Sequence, residues 1–418
     1  MPRLLLLIPT TTYRTEAFVE AAYRLGVEVV VASDRPNALQ DALPGGLLTL
    51  DFLKPDVAAR EIVEFARRHP IDGVVPVDDP TTVVGAAIAK KLGLPSNSVE
   101  SAQAALNKAT MRKLLTRAGV PSPRYWVFTL DDDPAIVGLT VSYPSVLKPT
   151  ILSGSRGVIR ADDPTQFVNA FRQIEAILRT VEIAAMGEGA RQILVEEFIP
   201  GKEVALEGLL MKGDLQILAL FDKPDPLNGP FFEETIYVTP SRLPRPTQAA
   251  IADCSARAAQ ALGLREGPVH AELRVNEHGP CIVEVAARSI GGLCSRTLRF
   301  GTGMSLEELI IRHALGMEIA SLQRERKPAG VMMIPIPWAG VLQEVRGLEE
   351  AERIPGIEGI RIVIPVGQEV VPLPEGMKYL GFIFARDETP ERVEATLRQA
   401  HRRLTFIITP ACETAGKA

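Results

Sequence analysis

Runs of hydrophobic residues separated by polar, periodic stretches fill the first hundred positions and predict strands that alternate with helices. Leu4–Ile8 is a continuous apolar run, which is typical of a parallel strand buried on both faces. The regular alternation favours a doubly wound α/β domain that ends near Asn97. Its strands are predicted at Leu4–Ile8, Val27–Ala32 and Gly73–Pro76, and its helices at Glu16–Leu25 and Thr81–Leu92.

Beyond this domain the hydrophobic pattern becomes mostly that of strands, with isolated helices between them. The mixture predicts an α+β region after the α/β domain. Helices are predicted at Asn107–Ala118, Pro164–Thr180, Pro246–Leu262, Leu306–Leu315 and Pro390–Leu404. Strands are predicted at Trp126–Thr129, Ser145–Lys148, Gln192–Glu197, Val204–Met211, Leu215–Phe221, Ile236–Val238, Ala271–Val275 and Cys281–Val285. We expect the last residues, Thr409–Ala418, to be frayed.

Composition and charge narrow the class of protein. The 418 residues suggest two to three domains, and 46% apolar with 23% charged residues is the usual mixture of a soluble globular chain. The net charge is −5 and no basic stripe stands out, which argues against nucleic acid and anionic membrane as partners. The first apolar run has five residues, too few for a signal peptide or a membrane span.

Cysteine usage favours a reducing, cytoplasmic location. The four cysteines lie far apart and form no CxxC pair, so a disulfide scaffold or a zinc ribbon is not expected. The four are Cys254, Cys281, Cys294 and Cys412.

Two glutamates are predicted to face each other across a β-hairpin. Glu272 and Glu284 lie on two predicted strands joined by the turn Asn276–Gly279, and the midpoint of their numbers falls within that turn. Like charges directly opposite are destabilising, so a cation such as Mg²⁺ between the two carboxylates would stabilise the pair. Alternation along the second strand would bring Arg288 to the same face. The alternative is a solvated strand face.

A Ser/Gly loop and a strand lysine are candidates for binding an anion. The loop Ser153–Val158 follows the strand that ends at Lys148, and its glycines allow backbone N–H groups to turn toward a phosphate. No GKS/T and no GxGxxG is present there, and an ordinary flexible turn is the alternative. Lys148 would need an anionic partner if it points to the buried side.

The stretch around Pro200 is predicted to connect two strands through a bend. Pro200 cannot continue a central strand and Gly201 permits the bend, so the connector resembles an interdomain hinge. Peptide groups released from the sheet there could pair with a purine edge, and Glu203 could accept hydrogen bonds from ribose hydroxyls. A plain loop with charged flanks is the alternative.

In this order, the features resemble the ATP-grasp superfamily over most of the chain. The segment from Asn107 to Arg112 is similar to the family's NKxxxR opening, and the two hairpin glutamates match its metal carboxylates. The resemblance implies an ATP-grasp fold preceded by a Rossmann-like domain. The implied segments are an N-terminal α/β domain at 1–97, a linker helix region at 98–130, a lid subdomain at 131–200, a lobe with the metal site at 201–327, a small C-terminal domain at 328–410 and a tail at 411–418.

The same resemblance implies a role for each matching residue. ATP would be bound by Lys108, Lys148, Ser153, Gly154, Ser155, Gly157, Glu196, Glu197, Phe198, Ile199 and Glu203. Glu272 and Glu284 would hold Mg²⁺, with Mn²⁺ as the alternative ion, and Arg288 would be the catalytic residue that holds the acceptor carboxylate or the acyl phosphate. The substrate contacts would be Glu234, Tyr237, Arg288, Gly291 and Gly292.

Within the superfamily the chain looks most like the L-amino acid ligases, which make dipeptides. Glu284-Val-Ala-Ala-Arg288 resembles the ExAAR segment of that group, with Ala286 where many ATP-grasp enzymes carry asparagine. Glu234 and Pro240 match an E-x-x-H-x-x-P segment, but Tyr237 takes the histidine position, which puts the identity of the bound amino acid in doubt.

The resemblance implies an ATP-dependent ligase that joins a carboxylate to an amine through an acyl phosphate and releases ADP and phosphate. Its partners would be small molecules, and homodimerisation stays open. One alternative is a carboxylase or ribonucleotide–amine ligase of the purine or biotin type, which the C-terminal region also resembles. Another is a non-catalytic ATP-binding regulatory protein.

Overall fold

Helices and strands follow one another closely along the chain. The computed structural model describes residues 1–36 and 46–410. The helices are α1 Thr15–Arg24, α2 Pro55–Ala66, α3 Asp79–Leu92, α4 Val99–Leu106, α5 Lys108–Arg117, α6 Pro134–Val137, α7 Pro164–Leu178, α8 Val181–Ala184, α9 Arg245–Ala261, α10 Leu306–Ala314, α11 Leu348–Glu352 and α12 Pro390–His401. Short 3-10 helices occupy Glu188–Arg191 and Cys294–Thr297.

The strands complete this inventory. They are β1 Arg3–Leu7, β2 Glu28–Ser33, β3 Leu47–Thr49, β4 Gly73–Pro76, β5 Tyr125–Thr129, β6 Ser145–Pro149, β7 Ile159–Ala161, β8 Gln192–Glu197, β9 Lys202–Met211, β10 Asp214–Lys223, β11 Ile236–Thr239, β12 Gly267–Asn276, β13 Gly279–Ala286, β14 Ala329–Ile334, β15 Gly340–Arg346, β16 Ile357–Ile362, β17 Glu369–Val370, β18 Gly381–Arg386 and β19 Thr405–Thr409.

Contacts between residues group the chain into two discontinuous units. The first unit comprises Met1–Pro123, Val204–Leu220 and Leu243–Arg326. The second comprises Arg124–Glu203, Phe221–Arg242 and the chain from Lys327 onward. The six segments expected from the sequence remain a prediction. Thr409, the first residue of the expected frayed tail, ends strand β19 and pairs with Val341, and the tail beyond residue 410 lies outside the described residues.

The first unit contains the predicted parallel sheet. Its four strands lie in the order β3-β2-β1-β4, and β1 pairs in parallel with both β2 and β4. The apolar run of β1 is buried as predicted, and Leu5 and Leu7 pack with Ile62 and Ile88 from the covering helices. Helix α2 and strand β3 were not predicted. The α/β class of this region is confirmed.

The first unit also carries the carboxylate hairpin. Strands β12 and β13 pair antiparallel and lie beside β9 and β10, in the order β13-β12-β9-β10. Helices α5 and α9 cover them, and the shared core includes Met111, Ile251, Val269 and Val285. The hairpin therefore rests on a continuous apolar layer that fixes which strand face is turned away from the core.

The second unit is built from antiparallel sheets. One has the order β5-β8-β6-β7 and is covered by α7, with Phe167 and Ile174 in its core. Another region has the order β11-β14-β18-β16 and packs against α12, with Val393 and Leu397 buried. A small sheet β17-β15-β19 joins the same core.

Most predicted elements agree with the structure to within a few residues at each end. The main omissions are α2, a twelve-residue helix with one buried face, and short elements such as α4 and β7. Among the described residues, none of the helices is long and apolar enough to cross a membrane. The observed helices, the parallel and antiparallel sheets and the two units confirm the mixed α/β, multidomain fold class.

Candidate functional site

The hairpin glutamates face each other in the predicted register. Glu272 of β12 pairs directly with Glu284 of β13, and a shift in register follows, so that Leu273 pairs with Ile282. The two side chains retain 17% and 27% of their exposure. Two partly exposed carboxylates in adjacent, like-charged positions form a donor set suited to a hard divalent cation. The predicted register is confirmed, and the metal role stays a prediction.

A buried lysine lies against one of these carboxylates. Lys108 begins α5, whose start is capped by the Asn107 side chain accepting a hydrogen bond from the Thr110 N–H. The Lys108 Nζ lies 3.1 Å from Glu284 Oε1. Folding therefore brings a cation to the hairpin from a position 176 residues away. The role of Lys108 in binding phosphate stays a prediction.

His270 links the hairpin to a buried carboxylate that sequence reasoning missed. Its Nδ1 lies 3.2 Å from Glu207 Oε2, and its Nε2 lies 3.5 Å from Glu272 Oε1. Burial by itself would lower the pKa of His270, but the hydrogen bonds to Glu207 and Glu272 outweigh it and raise that pKa to about 9. His270 faces Glu272 because two residues along a strand return to the same face.

Arg288 lies just beyond the hairpin, since β13 ends at Ala286 and the expected alternation does not extend so far. Its guanidinium donates 2.8 Å to Asp79 Oδ2 and 2.9 Å to the Ser289 carbonyl. Burial would lower the pKa of Arg288, but the charge of Asp79 outweighs this and raises it. Sequence reasoning missed Asp79, although it directly follows Asp78 at the carboxyl end of β4.

The two glycines predicted to contact substrate follow Arg288 in the chain. A Cβ placed on Gly291 would lie 3.9 Å from the Arg288 Nη1. Gly292 has a φ of 59°, which favours glycine because an L side chain is strained there. Glycine at both positions keeps the backbone beside Arg288 free of side chains. Their contact with a substrate stays a prediction.

In the second unit, Lys148 has the anionic partner that its position demands. Its Nζ lies 2.7 Å from Glu196 Oε2, and the side chains are 7% and 3% exposed. Lys148 lies on β6 and Glu196 on the adjacent antiparallel strand β8, with Val146 opposite Glu196. Two residues predicted to bind different parts of ATP therefore form one ion pair.

The Ser/Gly loop has the backbone expected of a tight, glycine-dependent turn. Gly154, Ser155 and Gly157 all have positive φ, at 63°, 56° and 72°. The Gly157 N–H donates to the Pro374 carbonyl at 2.9 Å, and the Arg156 Nε–H donates to the Glu375 carbonyl at 2.8 Å. The loop that includes Ser153 is thus attached to a segment more than two hundred residues later.

The predicted hinge follows β8 directly. The Glu197 N–H donates to the Arg124 carbonyl, and the Phe198 N–H donates to the Pro144 carbonyl. Phe198 has its ring 4.3 Å beneath the Arg160 guanidinium and 6.4 Å from the Phe232 ring. These contacts fix the strand end before Ile199, and the roles of Glu197, Phe198 and Ile199 in adenine binding stay predictions.

Lys223, a buried lysine for which the sequence predicted no role, contacts three of the residues predicted to bind ATP or substrate. Lys223 Nζ lies 2.9 Å from Glu203 Oε1 and 2.5 Å from Glu234 Oε1, and it stands 4.9 Å above the Tyr237 ring. Tyr237 is 2% exposed and also packs edge-on against Phe221. Glu203, Glu234 and Tyr237 are therefore brought together. The feature of the sequence that could have revealed this cluster is Lys223 itself, a charged residue at the end of the apolar strand β10.

Models of three protein domains match successive parts of the chain. They are the ATP-grasp N-terminal domain at residues 19–96, the ATP-grasp domain at 141–297 and the L-amino acid ligase C-terminal domain 2 at 332–409. The chain belongs to the ATP-grasp family. Glu196, Glu272 and Glu284 all fall within the central ATP-grasp match.

Several known proteins resemble the chain to different extents. The crystal structure of an L-amino acid ligase from Bacillus licheniformis is 27% identical with a TM-score of 0.81, covering 98% of this chain and 99% of that one. An alanine–anticapsin ligase of Bacillus subtilis is 25% identical over 276 residues, which is 62% of this chain and 58% of that protein. A carboxyaminoimidazole ribonucleotide synthase of Aspergillus clavatus shares the fold, with 18% identity, a TM-score of 0.73 and coverage of 96% and 98%.

Proposed function

We propose that this protein is an ATP-dependent ligase that joins two L-amino acids into a dipeptide and releases ADP and phosphate. The observation that carries the proposal is the pair Glu272 and Glu284. They lie directly opposite each other, and Arg288 follows two residues after the end of β13, the strand of Glu284. The choice of amino acids as substrates is supported by the C-terminal domain match and by the likeness to an L-amino acid ligase along almost the whole chain.

Glu272 and Glu284 are the proposed ligands for Mg²⁺, and Mn²⁺ is the alternative. Their chemistry fits, because both are carboxylates, both retain some exposure and their opposition in the hairpin is relieved by a cation. A bound Mg²⁺ would neutralise charge on the β- and γ-phosphates of ATP. Lys108 would approach the same phosphates by exchanging its contact with Glu284 for a phosphate oxygen.

The proposed nucleotide contacts in the second unit supply charge, backbone donors and stacking surface. Lys148 would hold a phosphate, and Glu203 would accept hydrogen bonds from the ribose. The Ser153–Val158 loop has the turned backbone that allows N–H groups to meet an anion. The remaining proposed contacts are Ser153, Gly154, Ser155, Gly157, Glu196, Glu197, Phe198 and Ile199.

The proposed chemistry needs two displacements. A carboxylate oxygen of the first amino acid forms a bond to the γ-phosphorus of ATP, and the bond from that phosphorus to ADP breaks. The nitrogen of the second amino acid then attacks the acyl carbon, phosphate departs with the bonding electrons, and the new amide nitrogen loses a proton. Arg288 would hold the carboxylate and then the acyl phosphate with its planar fork. Orientation of this kind contributes about 7–11 kcal/mol in well-aligned cases.

The proposed substrate contacts differ from those of relatives at one position. Glu234 would offer a countercharge to an amino group, and Gly291 and Gly292 would leave space beside Arg288. Tyr237 replaces a histidine in the family pattern and is covered by Lys223. We therefore expect the amino acid preference to differ from that of ligases with the histidine.

The experiment that tests the proposal measures ADP release with amino acids supplied singly and in pairs, with mass spectrometry of the products. Release that requires two amino acids and yields a dipeptide supports the proposal. Release that requires bicarbonate or a ribonucleotide amine would indicate the purine or biotin type instead. ATP binding without release under any of these conditions would indicate a non-catalytic ATP-binding protein.

The setting proposed for this enzyme is the cytoplasm, with small molecules as partners. Among the described residues, Cys254, Cys281 and Cys294 are thiols rather than disulfides, as a reducing compartment favours. A homodimer is left open, and measuring the mass of the protein in solution by light scattering decides it.

A further inference from the structure

The described segment that carries Arg288 lies beyond the last paired residue of strand β13. Strand β13 makes its last pairing at Ala286, opposite His270, and Arg288–Ile290, which we name the Arg288 segment, follows that end. Yet Arg288 must point in one direction if it is to hold a reacting carboxylate. Buried backbone and charged groups of such a segment need partners from elsewhere in the fold.

Arg14 provides partners from the loop after β1. Its side chain is 1% exposed, and its guanidinium donates to the Ser289 Oγ, to the Ser289 carbonyl at 3.5 Å and to the Val77 carbonyl at 2.8 Å. The guanidinium also lies 3.6 Å from the Asp78 carboxylate. A planar fork with several donors can bridge such sites, whereas an ammonium acts as a point charge.

Through these contacts Arg14 binds the backbone next to each partner of the ion pair between Asp79 and Arg288. Asp79, which directly follows Val77 and Asp78, binds Arg288. Ser289 directly follows Arg288, and its carbonyl accepts from both Arg14 and Arg288. A single buried guanidinium therefore holds the backbone beside the donor and the backbone beside the acceptor of the Asp79–Arg288 pair.

Glu207 holds the other side of the Arg288 segment. It is completely buried on β9, and its Oε2 accepts from the Ile290 N–H at 2.9 Å. The same oxygen lies 3.2 Å from His270 Nδ1, and His270 in turn contacts Glu272. Burial raises the pKa of Glu207 while His270 opposes the shift. Glu207 thus joins the Arg288 segment to the strand of the metal carboxylate.

We propose that Arg14 and Glu207 are positioning residues that fix the direction of Arg288 relative to the Glu272–Glu284 pair. The proposal rests on the proposed function for the role of Arg288, and the contacts themselves do not depend on it. Neither residue touches substrate in this scheme, and both act through the backbone at Ser289 and Ile290. A displacement of about 1 Å at a reacting group can cost about a hundredfold in rate.

The test compares Arg14→Met, Ser289→Ala and Glu207→Met with the unmodified protein. We expect kcat/KM for the first amino acid, whose carboxylate is phosphorylated, to fall by about ten- to a hundredfold in Arg14→Met. The KM for ATP should change by less than about twofold. Arg14→Lys should not restore activity, because an ammonium cannot bridge Val77 and Ser289 together. Ser289→Ala removes one hydroxyl and remains informative if Arg14→Met does not fold.

The matched control is Arg3→Met. Arg3 starts the same strand that Arg14 follows, and its guanidinium contacts the Pro70 carbonyl and Glu28. It therefore reports the cost of losing an arginine that bridges elements of the first unit at the opposite end of β1. Equal changes of kcat/KM for the amino acid whose carboxylate is phosphorylated in Arg3→Met and Arg14→Met would overturn the proposal, as would full activity in both Ser289→Ala and Glu207→Met.

A second measurement separates this proposal from the proposed function. Hydrogen exchange of the ligand-free protein should show faster exchange of the Ile290 amide in Glu207→Met, which removes the acceptor of the Ile290 N–H, and in Arg14→Met than in Arg3→Met. If the unmodified protein makes no dipeptide but this exchange increases, the proposed function fails and the positioning role of the two residues stands. Unchanged exchange at Ile290 in both variants contradicts the positioning role, whatever the activity.

Discussion

The two units arrange their carboxylates in opposite ways. In the first unit, Glu272 and Glu284 face each other across a hairpin and keep 17% and 27% of their side-chain exposure. In the second, Glu196 and Glu203 each lie within 3 Å of a lysine nitrogen, and their side chains are 3% and 8% exposed. Lys108 and His270 partly offset the hairpin charges, but the two carboxylates stay in reach of solvent and of an arriving cation, whereas the ion pairs of the second unit are closed to solvent before any ligand binds.

The difference predicts a separation of effects. Substitutions at the first unit's hairpin should change catalysis more than stability, because the hairpin carboxylates repel each other and their contacts with Lys108 and His270 are partly exposed. Substitutions in the second unit's ion pairs should change stability strongly, because a buried charge would lose its partner. Four experiments follow, from the largest expected effect to the smallest.

The largest effect is expected from Glu284→Gln. The substitution retains the size of the side chain and removes the charge proposed to hold Mg²⁺, so turnover should fall by about a thousandfold, which is about 4 kcal/mol in the barrier. The fold should persist, because removing the repulsion with Glu272 offsets the weakened contact with Lys108 at a position that is 27% exposed. ADP release and thermal unfolding measure the two quantities.

The control for this change is Glu277→Gln, the same substitution in the exposed turn of the same hairpin. It should leave turnover within about twofold. Full activity of Glu284→Gln would show that the metal site is wrongly assigned.

The second prediction concerns the buried pair of Lys148 and Glu196. Lys148→Met removes the cation 2.7 Å from a carboxylate whose side chain is 3% exposed, so the free energy of unfolding should fall by about 3 kcal/mol. Lys108→Met is the matched substitution in the first unit, and its partner Glu284 is 27% exposed. We expect a loss of about 1 kcal/mol or less there.

Urea unfolding of both variants measures this contrast. The double variant Lys148→Met with Glu196→Gln should recover part of the stability lost in Lys148→Met, because the carboxylate charge is removed with its partner. Equal losses of unfolding free energy in Lys148→Met and Lys108→Met would contradict the proposed distinction between the units.

The third prediction concerns the Ser/Gly loop of the second unit. Gly157 has a φ of 72°, and an added Cβ would lie 2.8 Å from the Pro149 ring, so Gly157→Ala combines backbone strain with a steric clash. It should cost about 2 kcal/mol of stability. At Gly154 the φ is 63° but the nearest atom would be 3.6 Å away, so Gly154→Ala should cost about 1 kcal/mol.

Urea unfolding again provides the readout, and KM for ATP reports whether the loop still accommodates nucleotide. A larger loss of stability for Gly154→Ala than for Gly157→Ala would contradict the steric explanation. An unchanged KM for ATP in both variants would argue that the loop conformation is not needed for nucleotide binding.

Local regularities of the chain predicted much of this arrangement. Counting residues to the middle of the turn placed Glu272 and Glu284 close to opposite each other, and the one-residue shift in register between Glu272 and Leu273 makes them direct partners. The burial of β1 followed from its apolar run, and the need of Lys148 for an anion followed from its place on a buried strand.

Other features could not be predicted because their partners are distant in sequence. Arg14 and Ser289 are 275 residues apart, and Arg156 contacts a carbonyl 219 residues away. A polar side chain in a loop carries no periodicity that would reveal such a contact. Asp79 resembles an ordinary surface acid in the sequence and is distinguished by its contact with Arg288, whereas Glu207 lies within an apolar strand and is distinguished by its burial beside His270.

The smallest effect is expected from His313, which anchors the start of the first unit's hairpin. The Gly267 N–H donates to His313 Nε2 at 3.1 Å, so the imidazole accepts there as a neutral ring. Burial lowers the pKa of His313 although Glu266 opposes it. With the folded-state pKa below the ordinary value of about 6.5, the unfolded chain binds the proton first, so stability is retained above about pH 6.5 and lost as the pH falls below it.

Urea unfolding at pH 7.5 and pH 5.5 should show a smaller acid-induced loss in His313→Gln than in the unmodified protein, by less than about 1 kcal/mol. Glutamine can still accept from the Gly267 N–H but does not titrate, so the variant isolates the protonation step. His278, exposed in the hairpin turn, is the control, and His278→Gln should leave the pH dependence as it is. An identical loss in His313→Gln and the unmodified protein would show that acid acts on the first unit through other groups, and the hairpin anchor would then be independent of the imidazole charge.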